Sequence, residues 1–300
     1  MELWQLKQLQ ELPLEVKIEK SKQRIKEWYE YFNGDVYISF SGGKDSTVLL
    51  HLVRELYPNV EAVFCDTGLE YPEIKDFVKR TDNVTTIRPE IGFRQVIEKH
   101  GYPIFSKDIA RVVYYARKGS NWAIHKLDGL EKDGKTYSEY KQRYKKYKYL
   151  LDAPFKISEK CCEEMKKKPF KKFEKETGKK PIIGTMASDG KQRQDSWVRT
   201  GCNAFNSVRQ HSMPLSFWKE SDVWDYLKTK NIPYSSIYDM GYLRTGCIWC
   251  GFGCHIEKGL NRFQRMKQTH PKLHSYCMKD RESGGLGLKE VLDFINIKTD

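Results

Sequence analysis

The sequence contains no run of eighteen or more apolar residues, so it predicts no membrane-spanning helix. Residues 1–11 lack the apolar core and the small-residue cleavage site of a secretory signal, and we expect a cytoplasmic protein. Cysteine is too scarce for a disulfide scaffold, with eight in 300 residues. Because 39% of the residues are hydrophobic and 31% are charged, the chain predicts a soluble globular protein with a sizeable core.

Positive charge exceeds negative charge. The chain has 53 Lys and Arg against 40 Asp and Glu, a net charge of +13, which favours polyanionic partners such as nucleotides or nucleic acid. Lysine and tyrosine are interspersed between Tyr137 and Tyr149, a composition that suits phosphate contacts and the stacking of unpaired bases. An exposed basic helix with its tyrosines packed inward would have the same composition.

Short β-branched and aromatic segments alternate with segments of helical periodicity. They predict strands at 36–40, 60–65, 84–87 and 181–184, and helices at 14–32, 46–57, 71–79, 93–100, from 221 onward, 262–278 and 287–295. This alternation predicts an α/β, Rossmann-like fold with a mostly parallel twisted sheet flanked by helices. We expect a helical segment (1–34), a main domain (35–254) with a basic helical insertion at about 107–180 and a cysteine-rich end, and a C-terminal helical segment (255–300) packed on the core.

A short polar loop joins the first predicted strand to the next helix. Its residues are Ser41, Gly42, Gly43, Lys44, Asp45 and Ser46. Unpaired N–H groups at a helix N-terminus bind anions, glycines let the backbone approach a pyrophosphate, and Lys44 adds a positive charge. The spacing differs from that of a Walker A loop, which needs four residues between its glycines. We expect the loop to bind nucleotide phosphates, with a simple Gly-Gly turn as the alternative.

This loop resembles the pyrophosphate loop of the PP-loop (adenine nucleotide alpha hydrolase-like) superfamily, whose members bind ATP or an adenylyl sulfate. Segments 64–68, 72–73, 214–218 and 222–224 resemble parts of its phosphoadenosine phosphosulfate (PAPS) reductase family. The resemblance implies that Asp66, Thr67 and Gly68, after the second strand, flank the nucleotide. For Asp66, a simple turn at the end of the strand is the alternative.

The predicted strand at 181–184 is followed by a predicted loop that contains Lys191, Arg193 and Arg199. It is similar to a family segment whose arginine contacts the phosphate or sulfate of the nucleotide, although its Gly-to-Arg spacing is longer here. The resemblance implies this role for Arg193 first and for Arg199 second. Arginine suits the role because it makes bidentate, charge-assisted hydrogen bonds. A solvated basic loop is the alternative.

Four of the eight cysteines form two pairs, Cys161 with Cys162 and Cys247 with Cys250. Adjacent cysteines do not readily form a disulfide with each other, but two such pairs offer four soft metal ligands. Zinc sites more often use two CxxC pairs. This set resembles the ligands of iron–sulfur adenylyl-sulfate reductases and implies a [4Fe–4S] cluster. Zinc and plain packing of buried cysteines are the alternatives.

One reaction that fits these motifs is reduction. A reductase attacks the sulfate sulfur of PAPS or adenylyl sulfate (APS) with a cysteine thiolate, and a thioredoxin-like thiol releases sulfite. The family's nucleophile lies in a Glu-Cys-Gly-Leu-His motif, where this chain has Ser283 and no histidine. The remaining candidates are Cys202, Cys254 and Cys277. For Cys202 we expect a lowered pKa, because it follows Arg199 closely.

The other reaction is adenylation. ATP and Mg²⁺ bind, an acceptor oxygen attacks the α-phosphorus, pyrophosphate leaves against Lys44 and the loop amides, and sulfur then replaces AMP. The loop resembles those of iron–sulfur PP-loop proteins that thiolate tRNA or DNA, which implies a nucleic-acid acceptor and a cysteine desulfurase or thiol donor as partners. We expect Lys44, Asp45 and Arg193 to be catalytic. A nucleotide sensor that carries a cluster but has no activity is the third alternative.

Overall fold

The computed structural model describes residues 1–299. Its helices are α1 (Leu3–Gln10), α2 (Leu14–Tyr31), α3 (Lys44–Leu56), α4 (Pro72–Lys79), α5 (Phe93–His100), α6 (Lys107–Ala116), α7 (Asn121–Leu127), α8 (Gln142–Lys145), α9 (Lys168–Thr177), α10 (Lys191–Thr200), α11 (Glu220–Thr229), α12 (Arg262–Thr269), α13 (Pro271–Met278) and α14 (Leu288–Phe294). Its strands are β1 (Val36–Ser39), β2 (Ala62–Cys65), β3 (Val84–Ile87), β4 (Ile104–Phe105), β5 (Lys180–Ile183) and β6 (Gly251–Phe252). No helix within these residues is both long enough and apolar enough to cross a membrane.

These elements confirm the α/β class expected from the sequence, since β1, β2, β3 and β5 lie within two residues of the expected bounds. The helix expected at 262–278 is two helices. Its first part ends with His270 as the C-cap, and Pro271 opens the second part. A residue before proline is disfavoured in the helical conformation, which explains the break.

The contacts divide the chain into two compact units. The first unit comprises residues 1–66, 70–88 and 169–245, and the second comprises residues 67–69, 89–168 and those from 246 onward. The sequence predicts a division into three parts by position along the chain, and that division stays a prediction.

The first unit contains a four-stranded parallel sheet with the order β3-β2-β1-β5. The chain proceeds from β1 through β2 to β3 on one side and returns to place β5 on the other side of β1. The strand order therefore reverses between β1 and β5, and ligands of open α/β sheets bind outside the carboxyl ends of strands at such a point. Residues around Ser212 cover the outer edge of β5, since Ser212 exchanges backbone bonds with Pro181 and Ile183.

The core of the first unit forms on both faces of this sheet. All four residues of β2 and the first three of β1 are buried, as is typical of central parallel strands. Helix α3 buries Val48, Leu49, Leu52 and Val53 completely. This burial holds α3 in the core of the unit, and the polar loop connects β1 to its first turn.

The second unit is mostly helical. Its two short strands, β4 and β6, pair in parallel, and helices α6 and α7 lie side by side, as do α12 and α13. Gly251 is required in β6, because a Cβ there would lie 2.7 Å from the Pro103 carbonyl oxygen. The expected basic helical insertion thus contributes α6, α7 and α8 to this unit, with irregular chain between them.

Candidate functional site

The polar loop lies where β1 passes into α3. Gly43 is the N-cap of α3, and Lys44 is its first helical residue. Side chains close the loop, since the Ser46 hydroxyl donates to the Gly43 carbonyl (2.8 Å) and accepts from the Ser41 N–H (3.2 Å). The N-terminal amides of a 13-residue helix therefore border the loop, where the helix dipole favours an anion.

The two glycines of the loop have little space for a side chain, and Gly42 also has a backbone conformation that favours glycine. Gly42 has a φ of +71°, and a Cβ there would lie 2.8 Å from the Val78 side chain and 2.9 Å from that of Ile74. A Cβ on Gly43 would lie 2.9 Å from the Thr245 hydroxyl. The backbone path of the loop consequently depends on Gly42, while at Gly43 the constraint is space alone.

Protein groups bond to both the backbone N–H and the side-chain ammonium of Lys44. Its side chain is only 4% exposed, and its Nζ lies 3.1 Å from the Leu243 carbonyl oxygen and 3.1 Å from the Glu220 carboxylate. Its backbone N–H donates to the Tyr238 hydroxyl (2.8 Å). The amide and the ammonium group expected to bind phosphate therefore both bond to residues of the 220–243 stretch.

Asp45 lies in the first turn of α3 and is half-buried. Burial raises the pKa of its carboxyl, while the Lys44 ammonium lowers it. Arg244 and Arg193 also act electrostatically on Asp45, so both guanidinium groups lie near this end of α3. Carboxylate oxygens are the ligands that Mg²⁺ prefers, so the chemistry of Asp45 suits the cation that accompanies a nucleotide.

Arg193 and Arg199 line one cavity of about 480 Å³. This volume falls within the range of roughly 300–1,000 Å³ that is usual for small-molecule sites. The segment that holds the two arginines is a helix, α10, which corrects the loop expected from the sequence. Asp189 pairs with Arg193 and, at 3.1 Å, with Arg244. The cavity thus presents exposed cationic side chains, one of which already has an acidic partner.

Gly184 lies between this cavity and the polar loop. It follows β5, and a Cβ on it would lie 3.0 Å from the Asp45 carbonyl oxygen and 3.3 Å from the Ser46 Cα. The next residue, Thr185, lines the cavity. The structure therefore brings residues 41–46 together with the arginine-lined cavity at the carboxyl ends of β1 and β5, where the strand order reverses.

The segment after β2 is divided between the units. Asp66, in the first unit, pairs with Lys75 (2.8 Å) and Arg88 (3.5 Å). Thr67 is buried in the second unit, to which Gly68 also belongs. The nucleotide contacts expected of these three residues stay predictions.

The four paired cysteines all belong to the second unit. Cys161 and Cys162 directly precede a π-helical turn at Glu163–Lys167, a conformation that is frequent at functional sites. Cys247 and Cys250 lie in a tight turn, in which the Cys250 N–H donates to the Cys247 carbonyl (3.1 Å). Two pairs separated by 85 residues in sequence therefore enter the same unit.

The thiols of these cysteines act on one another. Burial raises the pKa of Cys161, and Cys247, Cys162 and Cys250 raise it further. Burial raises the pKa of Cys250 to about 11, with Cys247 as the next cause. Four thiols in one unit offer the soft donors that an iron–sulfur cluster takes as ligands. Among residues 1–299, no group of three or more ligating side chains meets the geometry for one metal ion, and the [4Fe–4S] assignment stays a prediction.

The four remaining cysteines are buried. Cys202 is buried with its sulfur 3.3 Å from the Ser216 hydroxyl, and burial raises its pKa, so the expected lowering of this pKa is wrong. Burial raises the pKa of Cys254 to about 12 and that of Cys277 to about 12. Cys65 is buried within β2.

Sequence reasoning missed Tyr238, Leu243, Glu220 and Asp189, which contact Lys44 or Arg193. None of them belongs to a local motif, and Tyr238 is 194 residues from Lys44 along the chain. The sequence has three tyrosines at 234, 238 and 242, but nothing in this stretch indicated a contact with the polar loop.

The family model of the phosphoadenosine phosphosulfate reductase domain matches residues 35–251. The chain belongs to this family. The adenosine 5'-phosphosulfate reductase of Anoxybacillus flavithermus is 24% identical over 280 residues, which cover 91% of this chain and 97% of that protein. An uncharacterised protein of Methanocaldococcus jannaschii is 26% identical over 283 residues, and these cover 91% of this chain but 54% of that relative. The chain thus spans about half the length of this second relative.

Solved structures of similar proteins include the phosphoadenylyl-sulfate reductase of Candida auris in a phosphate complex. It is 17% identical, the match covers 75% of this chain and 87% of that chain, and the TM-score is 0.43. The FMN adenylyltransferase of Candida glabrata in complex with ATP is 15% identical, with 81% of this chain and 67% of that chain covered and a TM-score of 0.46. The family membership expected from the loop and strand motifs is therefore confirmed by the family model, while the iron–sulfur type stays a prediction.

Proposed function

We propose that this member of the PAPS reductase family is an enzyme that cleaves ATP between its α- and β-phosphates and activates an acceptor for sulfur transfer. The observation that carries the proposal is the complete loop of residues 41–46 at the N-terminus of α3, beside the arginine-lined cavity. Helix amides, an ammonium group and guanidinium groups gathered at one point suit the charge that develops on a leaving pyrophosphate.

In this reaction, an acceptor oxygen attacks the α-phosphorus, a new P–O bond forms, and the bond to the β-phosphate breaks. Lys44 and the loop amides would stabilise the pyrophosphate, and Arg193 would orient a phosphate of the nucleotide. Asp45 would hold the Mg²⁺ that ATP carries. A sulfur nucleophile from a cysteine desulfurase or a thiol donor then attacks the activated atom and displaces AMP.

Lys44 must exchange partners before it can do this. Its ammonium lies 3.1 Å from both the Leu243 carbonyl oxygen and the Glu220 carboxylate, and a triphosphate would replace these neutral and singly charged partners with several negative charges. We therefore expect bound nucleotide to draw Lys44 away from Glu220.

We further propose that Cys161, Cys162, Cys247 and Cys250 hold a [4Fe–4S] cluster. The mutual electrostatic effect of their thiols supports this assignment, and the sequence resemblance to iron–sulfur reductases suggested it. When bound, such a cluster would supply electron transfer. Absorbance near 400 nm after anaerobic reconstitution, lost in Cys161→Ser, is the test.

Reduction of an adenylyl sulfate is the second candidate. Relatives named as adenosine 5'-phosphosulfate reductases favour it, since one of them matches over 97% of its length. Against it stand the raised pKa values of Cys202, Cys254 and Cys277, because the nucleophile in such a reaction is a thiolate.

One experiment separates these reactions. The anaerobically purified protein is given ATP with Mg²⁺ or, separately, PAPS or APS, in each case with and without a thiol donor and tRNA or DNA. Pyrophosphate release supports the proposal, sulfite release supports reduction, and binding without turnover would indicate a nucleotide sensor.

Two lysine variants test the role of the loop. Lys44→Gln is expected to lower kcat for pyrophosphate release by about 10²–10³-fold, as is usual when one group that stabilises developing charge is lost. Lys228→Gln, at an exposed position in α11, is the matched control and should leave kcat unchanged. Equal rates in Lys44→Gln and the wild type would contradict the assignment of the loop.

A further inference from the structure

The basic, tyrosine-rich part of the insertion separates into a packed side and an exposed side. Tyr144 is buried, and its hydroxyl donates to Asp108 (2.5 Å), so it is structural. Tyr137 and Tyr140 are 65% and 63% exposed. The alternative expected from the sequence, a basic helix with its tyrosines packed inward, therefore fits Tyr144 but not Tyr137 and Tyr140, whose rings contact solvent.

Each exposed ring has a cationic side chain over its face. The Arg143 guanidinium lies 3.9 Å from the centroid of the Tyr140 ring, and the Lys145 ammonium lies 5.6 Å from that of Tyr137. We call these four residues the stacking surface. They lie within nine residues of sequence in the second unit.

The cations of the stacking surface differ from other cations of the insertion. Lys126, Lys141 and Lys148 pair with acidic side chains at 3.1 Å or less. Within residues 1–299, neither Arg143 nor Lys145 forms an ion pair with an acidic side chain. Acidic residues thus neutralise one set of cations and leave those beside the exposed rings able to attract an anion.

The segment around the stacking surface carries a net positive charge, as Arg143 and Lys145 do. Residues 107–150 contain twelve Lys and Arg against five Asp and Glu, a net charge of +7 that is more than half of the chain's +13. A ligand for exposed rings beside cations must offer flat faces and negative charges at close spacing. Unpaired bases joined by phosphates offer both, whereas a duplex hides its base faces.

We propose that the stacking surface binds single-stranded nucleic acid, with bases on Tyr137 and Tyr140 and phosphates on Arg143 and Lys145. The inference deepens the proposed function and rests on it, because it names the class of acceptor that the enzyme would activate. Binding itself needs neither ATP nor a sulfur donor, so it can be measured independently of the reaction.

The test is fluorescence anisotropy of labelled 20-nucleotide single strands, both DNA and RNA, titrated with the full-length protein without ATP. Tyr137→Leu and Tyr140→Leu keep apolar bulk but lose the aromatic face, and each is expected to weaken binding about fivefold or more. Tyr140→Phe keeps the ring and is expected to bind as the wild type does. Since both tyrosines are exposed, the variants should keep the wild-type melting temperature.

The salt dependence tests the phosphate contacts. Arg143→Gln and Lys145→Gln should each reduce the slope of log K against log salt concentration by about 0.7, the value for one phosphate of a single strand. Lys228→Gln, in the first unit, should leave this slope unchanged.

Three results would overturn the inference. They are undetectable binding of every single strand, equal affinity of the leucine variants and the wild type, and tighter binding of anionic lipid vesicles or of duplex than of single strands. The proposed function fails separately: a protein that binds single strands but releases no pyrophosphate would keep this inference and lose the proposed reaction. Pyrophosphate release without binding of single strands would do the reverse.

Discussion

The contact between Tyr238 and the polar loop leads to a prediction about nucleotide affinity. The Tyr238 hydroxyl accepts a hydrogen bond from the Lys44 N–H (2.8 Å) and lies 3.3 Å from the Thr245 hydroxyl. Amides at the N-terminus of α3 are the groups that a nucleotide phosphate would bind. A phosphate at this amide must therefore displace the hydroxyl of Tyr238.

Tyr238→Phe removes this competitor and keeps the ring, which packs edge-on against Trp224 at a centroid distance of 5.4 Å. The net contribution of one such hydrogen bond is about 0.5–1.5 kcal/mol. We therefore expect ATP to bind the variant about two- to tenfold more tightly, since 1.4 kcal/mol corresponds to a factor of ten. We also expect the free energy of unfolding without ATP to fall by about 1 kcal/mol, because the Lys44 N–H loses its partner.

Isothermal titration calorimetry with ATP and Mg²⁺ measures the affinity, and urea unfolding measures the stability. Tyr234→Phe is the matched control, because its hydroxyl bonds to Asp239 (3.1 Å) in the same stretch. It should leave ATP affinity unchanged. Weaker ATP binding by Tyr238→Phe would mean that the hydroxyl contacts the nucleotide itself, and the reasoning from displacement would be refuted.

Three further predictions concern the loop, the cavity and the thiols. Gly42→Ala should lower the free energy of unfolding by about 1–3 kcal/mol more than Gly178→Ala in urea titrations, because both have φ near +70° but only Gly42 lacks space for a Cβ. Arg193→Lys should weaken ATP binding about tenfold in calorimetry, since lysine cannot make bidentate bonds, and a change of less than twofold would remove this arginine from the site. At pH 8, Cys277 should react with iodoacetamide in the unfolded but not the native protein, as judged by mass spectrometry. Its pKa of about 12 leaves roughly one thiolate in 10⁴, and labelling should accelerate about tenfold per pH unit.

The position of the polar loop could be predicted from the sequence because the strand before it and the helix after it have local signals. A strand, two glycines and an amphipathic helix follow one another within 21 residues. The side chains beside the two glycines, Ile74, Val78 and Thr245, are distant along the chain and could not be predicted. The break between α12 and α13 also has a local signal in the sequence, because Pro271 opens the second helix.

Long-range contacts account for what could not be predicted. The bond from Lys44 to Tyr238 spans 194 residues, and the pairing of β4 with β6 rests on two residues in each strand, too few for a periodic signal. The wrong expectation for the pKa of Cys202 also arises from the fold. Sequence proximity to Arg199 suggested a lowered value, but burial beside Ser216 raises it, and burial is a property of the folded chain.

The choice between the two reactions depends on which atom attacks. Reduction requires a thiolate of the enzyme to reach a sulfate sulfur, and burial opposes ionisation of Cys202, Cys254 and Cys277. In adenylation the acceptor supplies the nucleophile. The protein needs only preorganised positive charge that stabilises the leaving group. The residues near the carboxyl ends of β1 and β5 supply such charge through the amides of α3, Lys44 and Arg193. The burial of Cys202, Cys254 and Cys277, set beside the exposed arginine of α10, is the reason why we propose the release of pyrophosphate rather than attack on sulfur.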